Sequence, residues 1–171
     1  MGRRYWDASL AKLDFDKEIN EAILAWVKHG RGILMLEGSV GIGKTYVCAA
    51  LLNIWHSQHK HCRFFECKDF LAALRSVVNM NGEYLREVDR LCEANYFILD
   101  DLGSNLSGTE WQAEVLLSCI DKRYCSQLPT VVTTNLKREE IDKLLTNRAS
   151  SRLYASENTF IQLSGDDRRN G

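Results

Sequence analysis

The stretch that decides the fold lies at residues 33–45 and reads ILMLEGSVGIGKT. Its opening ILML run is wholly apolar, and GSVGIGKT at 38–45 fits the spacing G-x-x-x-x-G-K-[ST] at every fixed position. An apolar run without alternation is typical of a strand that is buried on both faces, as in a parallel sheet. Residues 44–59 then carry apolar side chains at helical spacing. The stretch therefore predicts a strand, a glycine-rich loop and a helix in succession.

The loop has the residue types that bind phosphate groups. Gly41 and Gly43 permit backbone angles and close approach that a Cβ would block, so the backbone amides can wrap phosphates at the start of the helix. Lys44 is placed to reach the β- and γ-phosphates, and the Thr45 hydroxyl to ligate Mg²⁺. We expect ATP and Mg²⁺ to bind here, with contacts from consecutive residues of the loop and helix start: Gly38, Ser39, Val40, Gly41, Ile42, Gly43, Lys44, Thr45 and Tyr46.

Strands and helices alternate along the rest of the chain. Further strands are predicted at 63–66, 96–99, 130–134 and 159–163. Helices are predicted at 16–29 (capped by Asp16), 69–78, 83–94, 109–124, 139–145 and 148–155. This alternation predicts a parallel, doubly wound α/β sheet. Since no linker or repeat interrupts the pattern, residues 1–171 are interpreted as a single domain.

Two acidic residues, Asp100 and Asp101, close the third strand. A carboxylate at the sheet edge that carries the phosphate loop can hold the water shell of Mg²⁺, and we assign this role to Asp100. Asp101 would then polarise the attacking water. Many ATPases have Glu at the second position, so the shorter Asp predicts hydrolysis that is slow or that depends on partner subunits. The alternative is that the two acids begin a surface loop.

An amide, Asn135, follows the fourth strand. It can hydrogen-bond the lytic water or the γ-phosphate. Asn is also a common cap of the helix that comes next. Both interpretations stay open from the sequence.

Four segments in this order carry a family resemblance: GSVGIGKT at 38–45, ILDDLG at 98–103, TTNL at 133–136 and RASSRL at 148–153. They resemble the AAA+ helicase-loader group, which includes DnaC- and DnaI-like loaders, phage-encoded loaders and IstB-type transposition ATPases. The resemblance covers residues 5–169. It implies a P-loop AAA+ fold, a three-layer αβα sandwich with a five-stranded parallel sheet in the order 5-1-4-3-2. The segments then correspond to Walker A, Walker B, sensor 1 and an arginine-finger box.

The resemblance also implies catalysis between subunits of a homo-oligomer. Arg148 and Arg152 are four residues apart and would share one helix face. We take Arg152 as the finger and Arg148 as its companion, since a guanidinium against a neighbour's γ-phosphate neutralises charge in the transition state. The alternative is an exposed helix whose arginines pair with Asp142 or Glu157.

Both ends of the chain are interpreted through the same resemblance. Residues 1–15 are expected near the nucleotide, with Tyr5 and Trp6 either beside the adenine or packed in the core. Residues 165–171 form a short tail, in which Arg168 approaches the nucleotide or the next subunit, or lies in solvent. The chain is expected to lack both the C-terminal helical lid of longer AAA+ proteins and the N-terminal domain by which loaders grip a helicase.

The resemblance implies an ATP-driven loader that places a replicative helicase on single-stranded DNA. One alternative is a transposition helper whose ATP state controls binding to DNA and a partner. Another is a small nucleotide kinase, although residues 102–110 lack the basic residues of a kinase lid. DNA contacts are expected between the second and third strands, where basic and aromatic residues mix, although a solvated helix pair is an equal alternative: Lys68, Phe70, Arg75, Tyr84, Arg86 and Arg90.

Composition bounds these interpretations. The net charge of −1 gives no general attraction to nucleic acid or membrane, so DNA binding needs a local basic patch. The chain has no apolar run of membrane-spanning length and no signal peptide, and we expect a cytoplasmic protein with no membrane partner. The six cysteines form no C-x-x-C pair and are interpreted as reduced, buried thiols. The His and Cys residues at 56–67 match no zinc spacing, so no structural metal is expected.

Overall fold

The computed structural model describes residues 2–81, 84–104, 106–165 and 167–168, without the side chains of residues 4, 77–81, 84 and 85. The strands in these residues are β1 Ile33–Gly38, β2 Cys62–Glu66, β3 Tyr96–Leu102, β4 Thr130–Thr134 and β5 Thr159–Leu163. The helices are α1 Lys17–His29, α2 Lys44–Ser57, α3 Cys67–Asn81, α4 Tyr84–Cys92, α5 Glu110–Cys125, α6 Arg138–Leu144 and α7 Asn147–Leu153. Every predicted strand and helix is present, with ends that differ by a few residues.

The strands form one parallel sheet in the order β2-β3-β4-β1-β5. This is the predicted order 5-1-4-3-2 counted from the opposite edge, and the prediction of the fold is confirmed. In a parallel sheet all strands end at the same edge, so the loops after β1, β3 and β4 lie side by side.

Helices cover both faces of the sheet, and β1 shows why its sequence is apolar throughout. Ile33 and Met35 belong to the core shared with α3, α4, α5 and α7. Leu34 and Leu36 belong to the second core, shared with α1 and α2. All four of these side chains are fully buried, as predicted for a central strand.

Strand β3 extends past the acidic pair. The predicted run at 96–99 ends in Asp100 and Asp101, and the strand continues through both residues to Leu102. Its register with β4 is irregular, since Leu99 pairs with Val132 and Leu102 pairs with Thr134. One extra residue therefore lies on β3, and Asp101 takes a left-handed backbone with φ of 62°. This is a β-bulge, which strand patterning alone does not reveal.

The ends of the helices also correct one expectation. Asp16 occupies the N-cap position of α1, but its exposed side chain makes no capping hydrogen bond, so solvent can satisfy the first amides there. Thr109 does cap α5, in a reciprocal arrangement in which its hydroxyl accepts from the Gln112 amide and the Gln112 side chain accepts from the Thr109 amide.

The expectation of buried thiols is confirmed for part of the set. All six cysteines are free, and Cys48, Cys67, Cys92 and Cys119 are buried, whereas Cys62 is half-buried and Cys125 is exposed. Burial raises the pKa of Cys67 to about 12, so this thiol stays neutral near pH 7. No helix among the described residues is long and apolar enough to cross a membrane.

Gly38, the last residue of β1, has no room for a side chain. A Cβ built there would lie 2.7 Å from the backbone oxygen of Leu163 on β5 and 3.2 Å from the Ile42 side chain. We expect Gly38→Ala to lower the free energy of unfolding by about 1–3 kcal/mol, because the sheet backbone cannot move aside cheaply. Urea unfolding measures this, with Gly2→Ala as the control, since a Cβ at Gly2 meets nothing within 4 Å. Equal stability of the two variants would contradict the prediction.

Candidate functional site

A cavity of about 750 Å³ lies at the carboxyl ends of β1, β3 and β4. The phosphate loop and the start of α2 form its floor, and the acidic end of β3 forms one side. Residues of the N-terminal segment and Arg168 also line the cavity. Its lining includes Tyr5, Lys12, Leu13, Phe15, Val40, Gly41, Gly43, Lys44, Thr45, Tyr46, Glu66, Asp69, Asp100, Asp101, Thr133 and Arg168.

The glycine-rich loop adopts the backbone that its glycines allow. Gly41 and Gly43 have φ of 84° and 111°, angles that residues with a side chain rarely adopt. Gly43 is the residue immediately before α2, so the amino end of that helix opens on the cavity. Lys44 is buried, and its ammonium group donates to the backbone oxygens of Gly38 at 2.6 Å and Ser39 at 2.9 Å. The cation is therefore held inside the loop.

The carboxylate of Asp100 is the most deeply buried acid of the site, with 4% of the residue exposed. One of its oxygens accepts from the Thr45 hydroxyl at 2.9 Å, and the other accepts from the Thr133 hydroxyl at 2.6 Å. Burial raises the pKa of Asp100, while the hydrogen bonds from Thr133 and Thr45 act in the opposite direction. The two predicted ligands of Mg²⁺ are thus in direct contact, and both offer the hard oxygen donors that this ion prefers.

Asp101 lies beside Asp100 on the cavity wall. Its backbone amide donates to the Thr133 hydroxyl at 2.9 Å, and its carboxylate accepts from the Ser104 hydroxyl at 2.5 Å. Neighbouring residues in a regular strand point to opposite faces of the sheet. The β-bulge at this point re-aims Asp101, so both acids line one cavity.

The N-terminal segment brings Tyr5 into the cavity lining, while Trp6 is 69% exposed and is not part of that lining. Asn53 on α2 holds the segment in place, because its side-chain amide donates to the backbone oxygens of Tyr5 at 3.4 Å, Trp6 at 3.1 Å and Ala8 at 2.9 Å. Sequence reasoning did not single out Asn53. The available signal was a polar residue within an otherwise apolar stretch of helix.

Arg168 lies against the phosphate loop. The Arg168 amide donates to the backbone oxygen of Gly41 at 3.1 Å. Its guanidinium group lies 4.3 Å from the Phe15 ring centre and donates to the backbone oxygen of Asp14. Arg168 is exposed, and it lies beside the phosphate loop in the cavity lining. Phe15, which also lines the cavity, was not predicted as a site residue.

Asn135 directly follows β4 but is exposed and is not among the residues that line the cavity. It is not the cap of α6 either, since Lys137 occupies that position. Thr133, two residues earlier, is the polar side chain of β4 that reaches the site. It is fully buried and was missed because a threonine in a strand is normally attributed to β-propensity.

The two candidate finger arginines lie outside the cavity lining, on α7, and share one partner. Asp121 of α5 accepts from Arg148 at 2.7 Å and from Arg152 at 3.1 Å. The Arg152 guanidinium also lies 4.5 Å from the ring centre of Tyr124. The partners considered from sequence are engaged elsewhere: Asp142 accepts from Ser150, and Glu157 from Tyr124.

In the segment considered for DNA contact, several side chains already have partners within the chain. Phe70 is fully buried in the core, so it cannot stack on a base. Lys68 pairs with Glu66 at 2.6 Å, Arg90 pairs with Glu87 at 2.5 Å, and Arg75 lies 5.9 Å from the ring centre of Trp111. Arg86 is exposed, and the side chain of Tyr84 lies outside the described residues. Ion pairs thus engage at least two of the four basic side chains of this segment, Lys68 and Arg90.

The chain is similar to known proteins over most of its length and not only in the motifs. The chain is 22% identical to the replicative helicase loader DnaC of Escherichia coli K12 over 136 residues, which are 79% of this chain and 55% of that protein. The chain thus spans about half the length of this curated relative.

Solved structures share the architecture. A crystal structure of the DnaC helicase loader matches with a TM-score of 0.77 and 25% identity over 95% of this chain and all of that one. The replication initiator DnaA, solved with AMPPCP and single-stranded DNA, matches with a TM-score of 0.80 and 17% identity over 96% of this chain and 51% of that one. Residues 8–152 match the family model "IstB-like ATP binding protein". The chain therefore belongs to the IstB-like ATP-binding family and has the AAA+ P-loop fold.

Proposed function

We propose that this chain binds ATP with Mg²⁺ and hydrolyses it slowly, as the ATPase core of a DNA-transaction machine. The observation that carries the proposal is the joint lining of one cavity by Lys44, Thr45, Asp100 and Asp101 at the carboxyl ends of β1 and β3. A buried cation, a hydroxyl and two carboxylates around a glycine-rich loop are the groups that phosphoryl transfer requires. The membership of the ATP-binding family supports the same conclusion.

Each residue has a distinct role in this proposal. The loop amides and Lys44 bind the phosphates, and Lys44 offsets negative charge that builds up during γ-phosphate transfer. Thr45 and Asp100 would hold Mg²⁺, which supplies further charge neutralisation when bound. Asp101 orients the attacking water as a hydrogen-bond acceptor. Its carboxylate is one methylene shorter than that of Glu, which is consistent with a low intrinsic rate.

The arginines of α7 are proposed to act on a neighbouring copy of the chain. Asp121 holds Arg148 and Arg152 together on one face, away from the lining of their own cavity. At least one guanidinium group would leave Asp121 and bind the γ-phosphate oxygens of the ATP in the adjacent subunit's site. The ion pair with Asp121 is partly exposed and weak, so the exchange costs little. A homo-oligomer follows from this role.

We expect ATP hydrolysis per chain to rise with protein concentration, because a shared site forms only on association. Single-stranded DNA is expected to increase the rate. In Arg152→Ala, turnover is expected to fall about 1,000-fold or more, the scale of an arginine finger, while nucleotide binding is retained. Phosphate release across a concentration series and equilibrium binding of a fluorescent ATP analogue measure the two properties.

Two controls define the test. Lys44→Ala removes the phosphate-binding cation and is expected to lose turnover at every concentration. Arg138→Ala removes an exposed arginine of α6 that stacks on Tyr154, and it is expected to keep the wild-type rate. Specific activity that is flat with concentration, together with a silent Arg152→Ala, would show that the chain does not use a shared site.

The cellular role that we propose is loading or remodelling of a replicative helicase on single-stranded DNA. The support is the similarity to a protein named as a replicative helicase loader. The family match favours a second role, that of a helper ATPase in DNA transposition. The two roles share an ATP-dependent DNA cycle and differ in the protein that the cycle controls.

The partner separates these two roles. Under the first, the purified chain with ATP is expected to increase the amount of a purified replicative helicase bound to circular single-stranded DNA. Under the second, it is expected to stimulate strand transfer by a transposase of the insertion-sequence type and to leave helicase loading unchanged. The Lys44→Ala variant serves as the inactive reference in both assays.

A further inference from the structure

We propose that Thr133 is a positioning residue of the ATPase site, whose single hydroxyl holds Asp100 and Asp101 in the arrangement that the reaction needs. The inference rests on the proposed function and assigns a role to a residue outside the phosphate loop and the acidic pair.

The β-bulge interrupts the pairing of β3 with β4 and places Asp101 in an unfavourable backbone conformation. Between the pairs Leu99–Val132 and Leu102–Thr134, the two acids of β3 face the single residue Thr133 of β4. The ladder is interrupted there, and Asp101 takes the left-handed backbone conformation, with φ of 62°. For a non-glycine residue this conformation costs about 1 kcal/mol or more. Contacts must therefore hold Asp101 in place.

Thr133 supplies one of these contacts, to the Asp101 amide, and the same oxygen atom also binds Asp100. Ser104 supplies another, since its hydroxyl donates to the Asp101 carboxylate. The Thr133 hydroxyl donates its proton to the Asp100 carboxylate at 2.6 Å, and its lone pair accepts the Asp101 amide at 2.9 Å. The residue is fully buried, so water does not readily replace it. The hydroxyl thus couples the carboxylate that faces Thr45 to the backbone that aims the second carboxylate. A hydroxyl is needed because one atom must donate and accept at once.

The neighbouring Thr134 provides a matched comparison on the same strand. It is also fully buried, and its hydroxyl donates to the Leu102 backbone oxygen at 2.6 Å and accepts from the Leu136 amide at 3.1 Å. Its partners are backbone groups and include neither acid. Removal of either hydroxyl should cost similar stability, but only the loss of the Thr133 hydroxyl releases the acidic pair.

The test compares Thr133→Val, Thr133→Ala and Thr133→Ser with Thr134→Val in steady-state ATP hydrolysis and thermal unfolding. In Thr133→Val and Thr133→Ala, kcat is expected to fall about 30- to 100-fold, the scale of a misplacement near 1 Å. KM should change less than about threefold, since the phosphate loop is intact. Thr133→Ser keeps the hydroxyl and should retain kcat within about threefold. Thr134→Val should lower Tm comparably and retain kcat.

The outcomes separate this inference from the function on which it rests. Wild-type turnover no higher than that of Lys44→Ala would overturn the proposed function and this inference with it. An active wild type with an equally active Thr133→Val or Thr133→Ala would overturn the positioning role alone. The same holds if Thr133→Ser loses as much kcat as Thr133→Val, because the side-chain shape and not the hydroxyl would then be responsible.

Discussion

Replacement of Lys44 by alanine is expected to lower the rate of ATP hydrolysis at least about 100-fold, the scale on which one preorganised electrostatic contact affects a rate. Lys44 is buried at the base of the phosphate loop, where its ammonium group already contacts two loop carbonyls. A cation in this low-dielectric position interacts strongly with phosphate oxygens, because little water screens it. Alanine removes that charge and leaves the loop carbonyls without their donor.

Phosphate release under saturating ATP measures the effect, and a fluorescent ATP analogue reports the accompanying loss of affinity. Lys60→Ala, which removes an exposed lysine after α2, is the matched control and is expected to behave as the wild type. Turnover in Lys44→Ala within about tenfold of the wild type would place the reactive phosphate elsewhere and would contradict the assignment of the loop.

The largest loss of stability is expected from Arg123→Leu, which should lower the free energy of unfolding by about 4 kcal/mol or more. Arg123 on α5 is fully buried. Its guanidinium group donates to the backbone oxygens of Cys92 at 2.6 Å, Ala94 at 2.8 Å and Pro129 at 2.9 Å, and to the Thr130 hydroxyl at 2.7 Å. Leucine would remove a donor from each of these buried acceptors, although the Pro129 oxygen would keep the Phe97 amide at 3.1 Å. A buried acceptor that is left without a donor costs roughly 1–3 kcal/mol.

Arg123 remains positively charged although it is buried. Desolvation lowers its pKa to about 10, so the group stays protonated near pH 7, and the Phe97 ring centre lies 5.0 Å away. Arg123→Lys keeps a cation but lacks the planar fork that serves several acceptors, and it should recover only part of the stability. The control is Lys122→Ala, at a half-exposed residue that pairs with Asp89, for which about 0–1 kcal/mol is expected. Chemical denaturation in which Arg123→Leu loses less than about 1 kcal/mol would contradict the prediction.

The burial of Arg123 could not be predicted from the sequence. The residue stands in the last turn of α5, where a cation ordinarily lies in solvent and interacts with the helix dipole. Nothing in the local pattern distinguishes a solvated arginine from one that joins the end of α4 to the start of β4. The distinction depends on how the fold brings Cys92 and Ala94, 31 and 29 residues earlier, together with Pro129 and Thr130, which follow α5 closely.

The candidate site also has a part that the local sequence predicts and a part that it does not. The loop at 38–45 and the alternation of strands and helices followed from local spacing, and the order of the strands followed from the family resemblance. A parallel sheet brings the ends of its strands to one edge, so the place of the site could also be predicted. The side chains that complete the cavity could not. Trp6 lies outside the lining, Asn135 is exposed, and the arginines of α7 meet Asp121 in place of the acids considered from sequence.

The sequence by itself determined the alternation of strands and helices and the residues of the phosphate loop, and its family resemblance implied the order of the sheet. The alternation and the loop depend on hydrophobic periodicity or on glycines at fixed spacing, which are local properties. The tertiary structure alone decided that Asp100 and Asp101 face one cavity, that Thr133 holds them, and that Arg123 is buried. The physical reason is that a bulge and a network of buried hydrogen bonds depend on partners from different segments, which only the folded chain brings together.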